Sequence, residues 1–325
     1  MDASTTQFRR PRVASRLLVG ASAALLSLLL AFGLTGCFGL GPLDPFPRRG
    51  ENLTLGGAEL TELPASIEIG WVAGKVTVKT YEGDTLAFSE VPTSTPDLPE
   101  ELSLTWEIFG DTLVIDYVQP AVRPYGLVKE LTVLIPEDMH IDDITINATS
   151  ADVVVAELTA DSVTVSTTSG DIMATTTTRL VSFSSTSGDI TVACDARDIE
   201  VTSTSGDQQV TQSGSAEDVE LASTSGDIRL LQWGYAGEVG VEATSGSVRV
   251  DLLNADVVDI ETTSGAVSVS FSEEWGFTGT LSTTSGRLDY DMPLAKSGRA
   301  YVYGDGGHSL EIETTSGGIT LKLTK

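Results

Sequence analysis

The sequence predicts an all-β chain: a parallel β-solenoid of about nine turns, preceded by an irregular β cap. Three observations predict it. The first is a repeat. Thr-Ser-Gly recurs at Gly170, Gly188, Gly206, Gly226, Gly246, Gly265, Gly286 and Gly317, in steps of 18, 18, 20, 20, 19, 21 and 31 residues. A degenerate copy, Thr149-Ser150-Ala151-Asp152, comes first and makes nine. The second is a set of apolar columns. Five residues before each glycine stand Ile146, Val165, Phe183, Val201, Leu221, Val241, Ile260, Leu281 and Ile312, all apolar. The columns seven before, two after and four after are also apolar, save Gly279 in the first of these and Gln208 in the second. Polar residues alternate with them, so each copy reads as two short period-two strands joined at Thr-Ser-Gly. One copy cannot bury its apolar side alone, whereas stacked copies turn each column into a continuous rib. At the usual strand spacing nine turns would reach roughly 40 Å. The third is the lack of a helical pattern after the N-terminal segment. An antiparallel meander is the rival, but it needs a second regular turn. That edge instead varies: TTTTRL, CDARD, QSGSAED, LQWGYAGE, FSEEWGFTG.

The elements follow in order. Residues 1–36 combine Arg9, Arg10, Arg12 and Arg16 with an apolar run ending Leu34-Thr35-Gly36, the pattern of a secretory signal. Cys37 follows directly, and the stretch resembles a bacterial lipobox, which implies cleavage before Cys37 and lipid on its sulfur; the alternative is an uncleaved helix that anchors the chain, since about 20 apolar residues can span a bilayer. Residues 37–65 open with the Pro- and Gly-rich FGLGPLDPFPRRG, a tether from lipid to fold. Residues 66–140 form the N-terminal β region and cap. They alternate in SIEIGWVAGKVTVKTYEGDTLAF, suggest a hairpin at Phe109-Gly110-Asp111, and end a strand at Pro136. Residues 141–325 are the repeats. The final LKLTK, with two lysines, reads as the protected outer edge of the stack.

The net charge is −27, and −30 once residues 1–36 with their four Arg and one Asp are removed. That excludes nucleic-acid binding and direct adhesion to anionic lipid, and it suits an extracytoplasmic protein held to the cell membrane by its lipid. Only Cys194 remains after Cys37, so the processed chain has no internal disulfide.

The TSGDI repeats, GWVAGKVTVKTYEGDTLAF and KELTVLIP resemble a bacterial family of β-strand-repeat proteins labelled "putative adhesin", or a domain of unknown function. The resemblance runs from Ser66 to the C-terminus. It implies an envelope β-solenoid without established catalytic residues.

The chemistry-bearing residues are few. The chain has only His140 and His308, neither in a Thr-Ser-Gly column, so no catalytic residue is assigned. Asp152, Asp171, Asp189, Asp207 and Asp227 follow five successive turns. They are candidate cation ligands, with calcium as the ion that favours oxygen. The reading preferred is a solvated aspartate accepting turn hydrogen bonds, with no cofactor. Trp233, Tyr235 and Trp275 lie on the variable edge, as lids or as contacts for a glycan or an envelope protein. Lys296, Arg299, Tyr301 and Tyr303 form the least repeat-like stretch and the first candidate ligand loop. The function expected is a non-enzymatic scaffold or adhesin. The alternatives are a β-helix polysaccharide-active enzyme and an envelope-sensing module coupled to a membrane signalling partner.

Overall fold

The computed structural model describes residues 53–93, 98–118 and 126–324. The signal segment, Cys37 and most of the tether lie outside the described residues. The fold is all-β, and the only helical turn among the described residues is a 3-10 turn at Glu100–Leu102.

Seven strands precede the repeat: β1 (Thr54–Leu55), β2 (Ala58–Leu60), β3 (Ser66–Tyr81), β4 (Leu86–Pro92), β5 (Thr105–Phe109), β6 (Thr112–Asp116) and β7 (Lys129–Pro136). The repeat supplies β8 (Asp143–Thr167), β9 (Ile172–Ser185), β10 (Ile190–Ser203), β11 (Gln208–Gln212), β12 (Ala216–Ser223), β13 (Ile228–Ser245), β14 (Val248–Ser264) and β15 (Val267–Ser272). Six more complete the chain: β16 (Phe277–Thr283), β17 (Leu288–Tyr290), β18 (Ala295–Ser297), β19 (Ala300–Tyr303), β20 (His308–Thr314) and β21 (Ile319–Thr324).

Successive copies pair in parallel, column against column: Ile172 with Ile190, Ile190 with Gln208, and Val181 with Ile199. A meander would pair them antiparallel. β9 and β10 alternate buried and more exposed residues because side chains in extended backbone point to opposite faces. The apolar columns are therefore the interior. Gln208 keeps its apolar column's inward position, buried, because Nε2 donates to Ser203 Oγ at 3.0 Å and to the Ala222 carbonyl at 2.6 Å.

The turn chemistry differs from the simplest expectation, in which glycine supplies a backbone angle other residues resist. Of the eight Thr-Ser-Gly glycines only Gly246 has positive φ. Glycine is required by closeness instead: a Cβ on Gly188 would lie 1.9 Å from the Gly170 carbonyl oxygen, and Gly206 and Gly226 repeat the approach to the glycine before them. The hydroxyl that closes the turn comes from the residue before the motif. Thr167, Ser185 and Ser223 point inward and accept the amide N–H of Gly170, Gly188 and Gly226 at 2.8–3.0 Å.

Both ends depart from chain order. β14 pairs with β20 (Ile260 with Ile312), and β20 pairs on its other side with β16 (Ile312 with Leu281). The last copy in the sequence thus lies between its two predecessors. The LKLTK segment follows suit in part: β21 pairs with β15 throughout and with β17 over Ile319–Leu321, so only Leu321 of the segment is enclosed and Lys322–Thr324 have a strand partner on one side alone. The 31-residue step holds β18 and β19, and β19 covers β16 antiparallel. The N-terminal end does the same. β3 lies between β8 on one side and β6 and β7 on the other, all parallel. The region is thus less irregular than the sequence suggested: β3 continues the repeat register, and the cap proper is β5 on β6 and β4 on β7, both antiparallel.

A buried ion pair pins this cap. Lys129 is fully buried and its Nζ lies 2.7 Å from Glu90 Oε2, which is 5% exposed. Nζ also donates to the Leu102 carbonyl at 2.9 Å and sits 4.1 Å from the Tyr117 ring centroid. Trp71 packs edge-on against Tyr117, and its Nε1 donates to the Lys129 carbonyl. Burial lowers the lysine's pKa, against the pull of Glu90, and burial together with Glu90 pushes the Tyr117 hydroxyl up to about 12.

Candidate functional site

The five aspartates do come together. Asp171, Asp189, Asp207, Asp227 and Ser247 each donate their amide N–H to Oδ1 of the aspartate one turn earlier, at 2.7–3.1 Å. The carboxylates form a ladder in which each one caps the next turn. The ladder ends at Ser247, where the column ceases to be acidic. The one group of His, Cys, Asp and Glu with converging ligand atoms among the described residues lies elsewhere, at His140, Asp142 and Asp161, all exposed.

The variable edge divides into lids and open residues. Trp275 is a lid: it is 2% exposed, its Nε1 donates to the Ala255 carbonyl at 2.7 Å, and it stacks with His308. Tyr303 joins the same aromatic cluster beside Phe271 and Phe277, so it belongs to the core rather than to a ligand loop. Of its proposed loop partners, Lys296 and Tyr301 pair with one another, Nζ to Oη at 3.1 Å, and Arg299 is exposed between β18 and β19. Trp233, in contrast, is 57% exposed, and Tyr235 and Leu253 beside it are 41% exposed.

Near Trp233 a groove of about 330 Å³ runs across β9, β10 and β11. Thr175, Thr177, Asp195, Thr211, Ser213 and Glu157 line it, together with the buried Cys194. Burial, helped by the charge of Asp195, pushes the Cys194 thiol up to about 12, which leaves it inert as a nucleophile. Gly214 makes room for the Asp195 carboxylate, whose Oδ1 occupies the place a Cβ would take.

A second surface was not anticipated. Alternate outward residues of β10, β12, β13, β14 and β20 stack Asp198 on Asp218 and Glu238, Glu200 on Glu220, Asp259 on Glu311, and Glu242 on Glu261 and Glu313. Burial first, and then these like charges, raise the pKa of Asp218, Glu220 and Glu242, and bring Asp259 up to about 6. The folded state therefore holds these protons more tightly than the unfolded chain. The stabilisation is complete below the ordinary carboxylate pKa and is lost as pH rises through about 6. The melting temperature is accordingly expected to be higher at pH 5 than at pH 7.5. Asp259→Asn should raise it at pH 7.5 and shrink the pH difference, both read by a thermal melt.

These features define an all-β repeat protein whose repeated polar residues are engaged between its own turns. The chain belongs to the Toastrack DUF4097 family, whose model matches residues 126–322. Among solved structures it is similar to a "putative adhesin" from Bacteroides fragilis, with 14% identity over 88% of this chain and 100% of that one, at a TM-score of 0.41. It is also similar to a "putative adhesin" from Parabacteroides merdae, with 11% identity, 85% and 97% coverage, and a TM-score of 0.46. A "putative lipid binding protein" from Parabacteroides distasonis gives 11%, 85% and 98%, and 0.45. No match was found among the curated proteins.

Proposed function

We propose that the protein is a non-enzymatic scaffold displayed outside the cytoplasm, tethered to the cell membrane through lipid on Cys37. The stack is read as a parallel β-solenoid of nine Thr-Ser-Gly copies, with residues 66–140 extending it toward the tether. One observation carries this reading. The repeated polar residues are committed to stacking: the aspartates cap the next turn, the inward hydroxyls cap the glycine amides, and the glycines admit the neighbouring carbonyl. A catalytic site needs one differentiated cluster rather than a ladder of equals. The same commitment argues that the aspartate column serves the turns rather than calcium. No helix among the described residues is long and apolar enough to cross a membrane.

The test is metabolic labelling with palmitate of the full chain and of Cys37→Ser in a bacterial host. The wild type should carry label and fractionate with the membrane on the extracytoplasmic side, and Cys37→Ser should carry none. An unlabelled wild-type chain in the cytoplasm would contradict the proposal. So would release of reducing ends from a panel of polysaccharides.

A further inference from the structure

We propose that the groove across β9, β10 and β11 is a docking site for a glycan chain of neutral or amine-bearing sugars, with Trp233 as the stacking platform. This deepens the scaffold reading and rests on it.

Breaks in the stack flank the groove, and a third lies in its wall: Cys194 pairs with Gln212 but Asp198 with Asp218, so the chain gains two residues at Ser213–Glu217. At one end the β8–β9 register shifts between Val155 and Leu158, and Glu157 has a φ of +54°. It is the only residue other than glycine with positive φ among the described residues, a conformation an L side chain adopts at a cost. At the other end the β13–β14 register shifts between Gln232 and Tyr235, which adds one residue at Trp233-Gly234. Bulges re-aim side chains and are common beside functional sites. Between these breaks the lining is small and hydroxylated, at Thr175, Thr177, Thr211 and Ser213.

Register places Trp233 one rung beyond this lining. Gln232 pairs with Gln212, the residue before Ser213, and Gly234 stacks on the Gly214 carbonyl. The column seven after the turn glycine thus reads Thr177, Asp195, Ser213, Trp233. From Glu157 to Trp233 is four strand spacings, about 19 Å. The lined groove takes up three of these spacings, from Glu157 to Ser213, and the indole stands one rung past its end, a row that suits a chain-like ligand. Sugar hydroxyls would donate to the threonine and serine oxygens and to the carboxylates of Asp195 and Glu157. The apolar face of a ring would lie on the indole, which presents a large flat surface to water. The groove lining carries two carboxylates and no cation. Uronic acids and sulfated sugars are therefore disfavoured, and amines on the sugar are favoured.

The test uses the full chain in a sugar-free detergent, titrated by calorimetry with cellohexaose, with a hexamer of glucosamine and with a hexamer of galacturonic acid. The first two should bind and the third should not. Trp233→Ala should weaken binding about tenfold. Trp233→Phe should restore most of it, which separates stacking from any change in folding. Asp195→Asn should weaken the amine-bearing hexamer more than the neutral one. Failure of both the neutral and the amine-bearing hexamer to bind at millimolar concentration would overturn the inference. Binding unchanged in both Trp233→Ala and Asp195→Asn, or equal binding of the acidic hexamer, would overturn it as well. An exported, lipid-labelled chain that binds neither sugar would sink this inference and leave the scaffold reading standing.

Discussion

Gly188→Ala is expected to destabilise the fold by about 3 kcal/mol, the upper end of what overpacking costs when the neighbour cannot move aside. The new methyl would lie 1.9 Å from the Gly170 carbonyl oxygen. That oxygen is backbone and belongs to the adjoining turn, so relief requires the two turns to separate. Separation would lengthen the Asp189 amide bond to Asp171 Oδ1 and disturb the Gly188 amide bond to Ser185 Oγ. Gly240→Ala is the control. A Cβ there meets nothing closer than the Val219 carbonyl at 4.0 Å, and its φ is not positive. Its expected effect is within about 0.5 kcal/mol of zero, since loss of a glycine's freedom in the unfolded chain favours folding slightly. Chemical denaturation of the two variants checks this. Equal effects would show that the close approach of stacked turns is not what selects glycine.

Lys129→Met is expected to cost about 3–5 kcal/mol, the usual result of removing one partner from a buried ion pair. The loss lies less in the missing attraction than in Glu90, left charged and buried at 5% exposure. Glu90 also accepts the Leu104 amide N–H, so it cannot turn out to solvent without leaving that donor unpaired. Adding Glu90→Gln should recover most of the loss, because the amide oxygen still accepts from Leu104 and the side chain needs no counter-charge. Thermal melts of the single and double variants decide it. A double variant no more stable than Lys129→Met would mean that packing against Tyr117 and Trp71, rather than charge, makes the lysine necessary.

Much of the fold was legible because extended backbone has a period of two. The columns at Ile146 through Ile312 are buried, and QSGSAED and FSEEWGFTG span breaks between strands, whereas TTTTRL, CDARD and LQWGYAGE run on within β9, β10 and β13. The hairpin at Gly110 appears as β5 and β6. Three things were hidden, each for a physical reason. The inward Thr167, Ser185 and Ser223 obey the same period as the apolar ribs but are polar, so they do not register as core. Their pairing to the glycine amide shows only in three dimensions. The order of the last copies was hidden because the columns of β16 and β20 are interchangeable in character. Leu281 and Ile312 would suit either position, and only the long step before β20 marks the detour. The groove was half legible: Trp233 stood out as an aromatic on the variable edge. The bulges that bound the groove depend on one-residue differences between neighbouring turns, and those become meaningful only once the strands are aligned.

The stacking register itself is the claim on which the turn, the ladder and the groove all depend, and paired cysteines measure it directly. Glu261 lies opposite Glu313, and Glu313 lies opposite Ser282, all three exposed. Neighbouring strands are about 4.8 Å apart, inside the span a disulfide bridges, whereas two strand spacings, about 9.6 Å, lie outside it. Mild oxidation followed by peptide mass mapping should link Glu261→Cys to Glu313→Cys, and Glu313→Cys to Ser282→Cys, but not Glu261→Cys to Ser282→Cys. A link between positions 261 and 282, without one between 261 and 313, would mean that the copies stack in chain order and would contradict the fold as described.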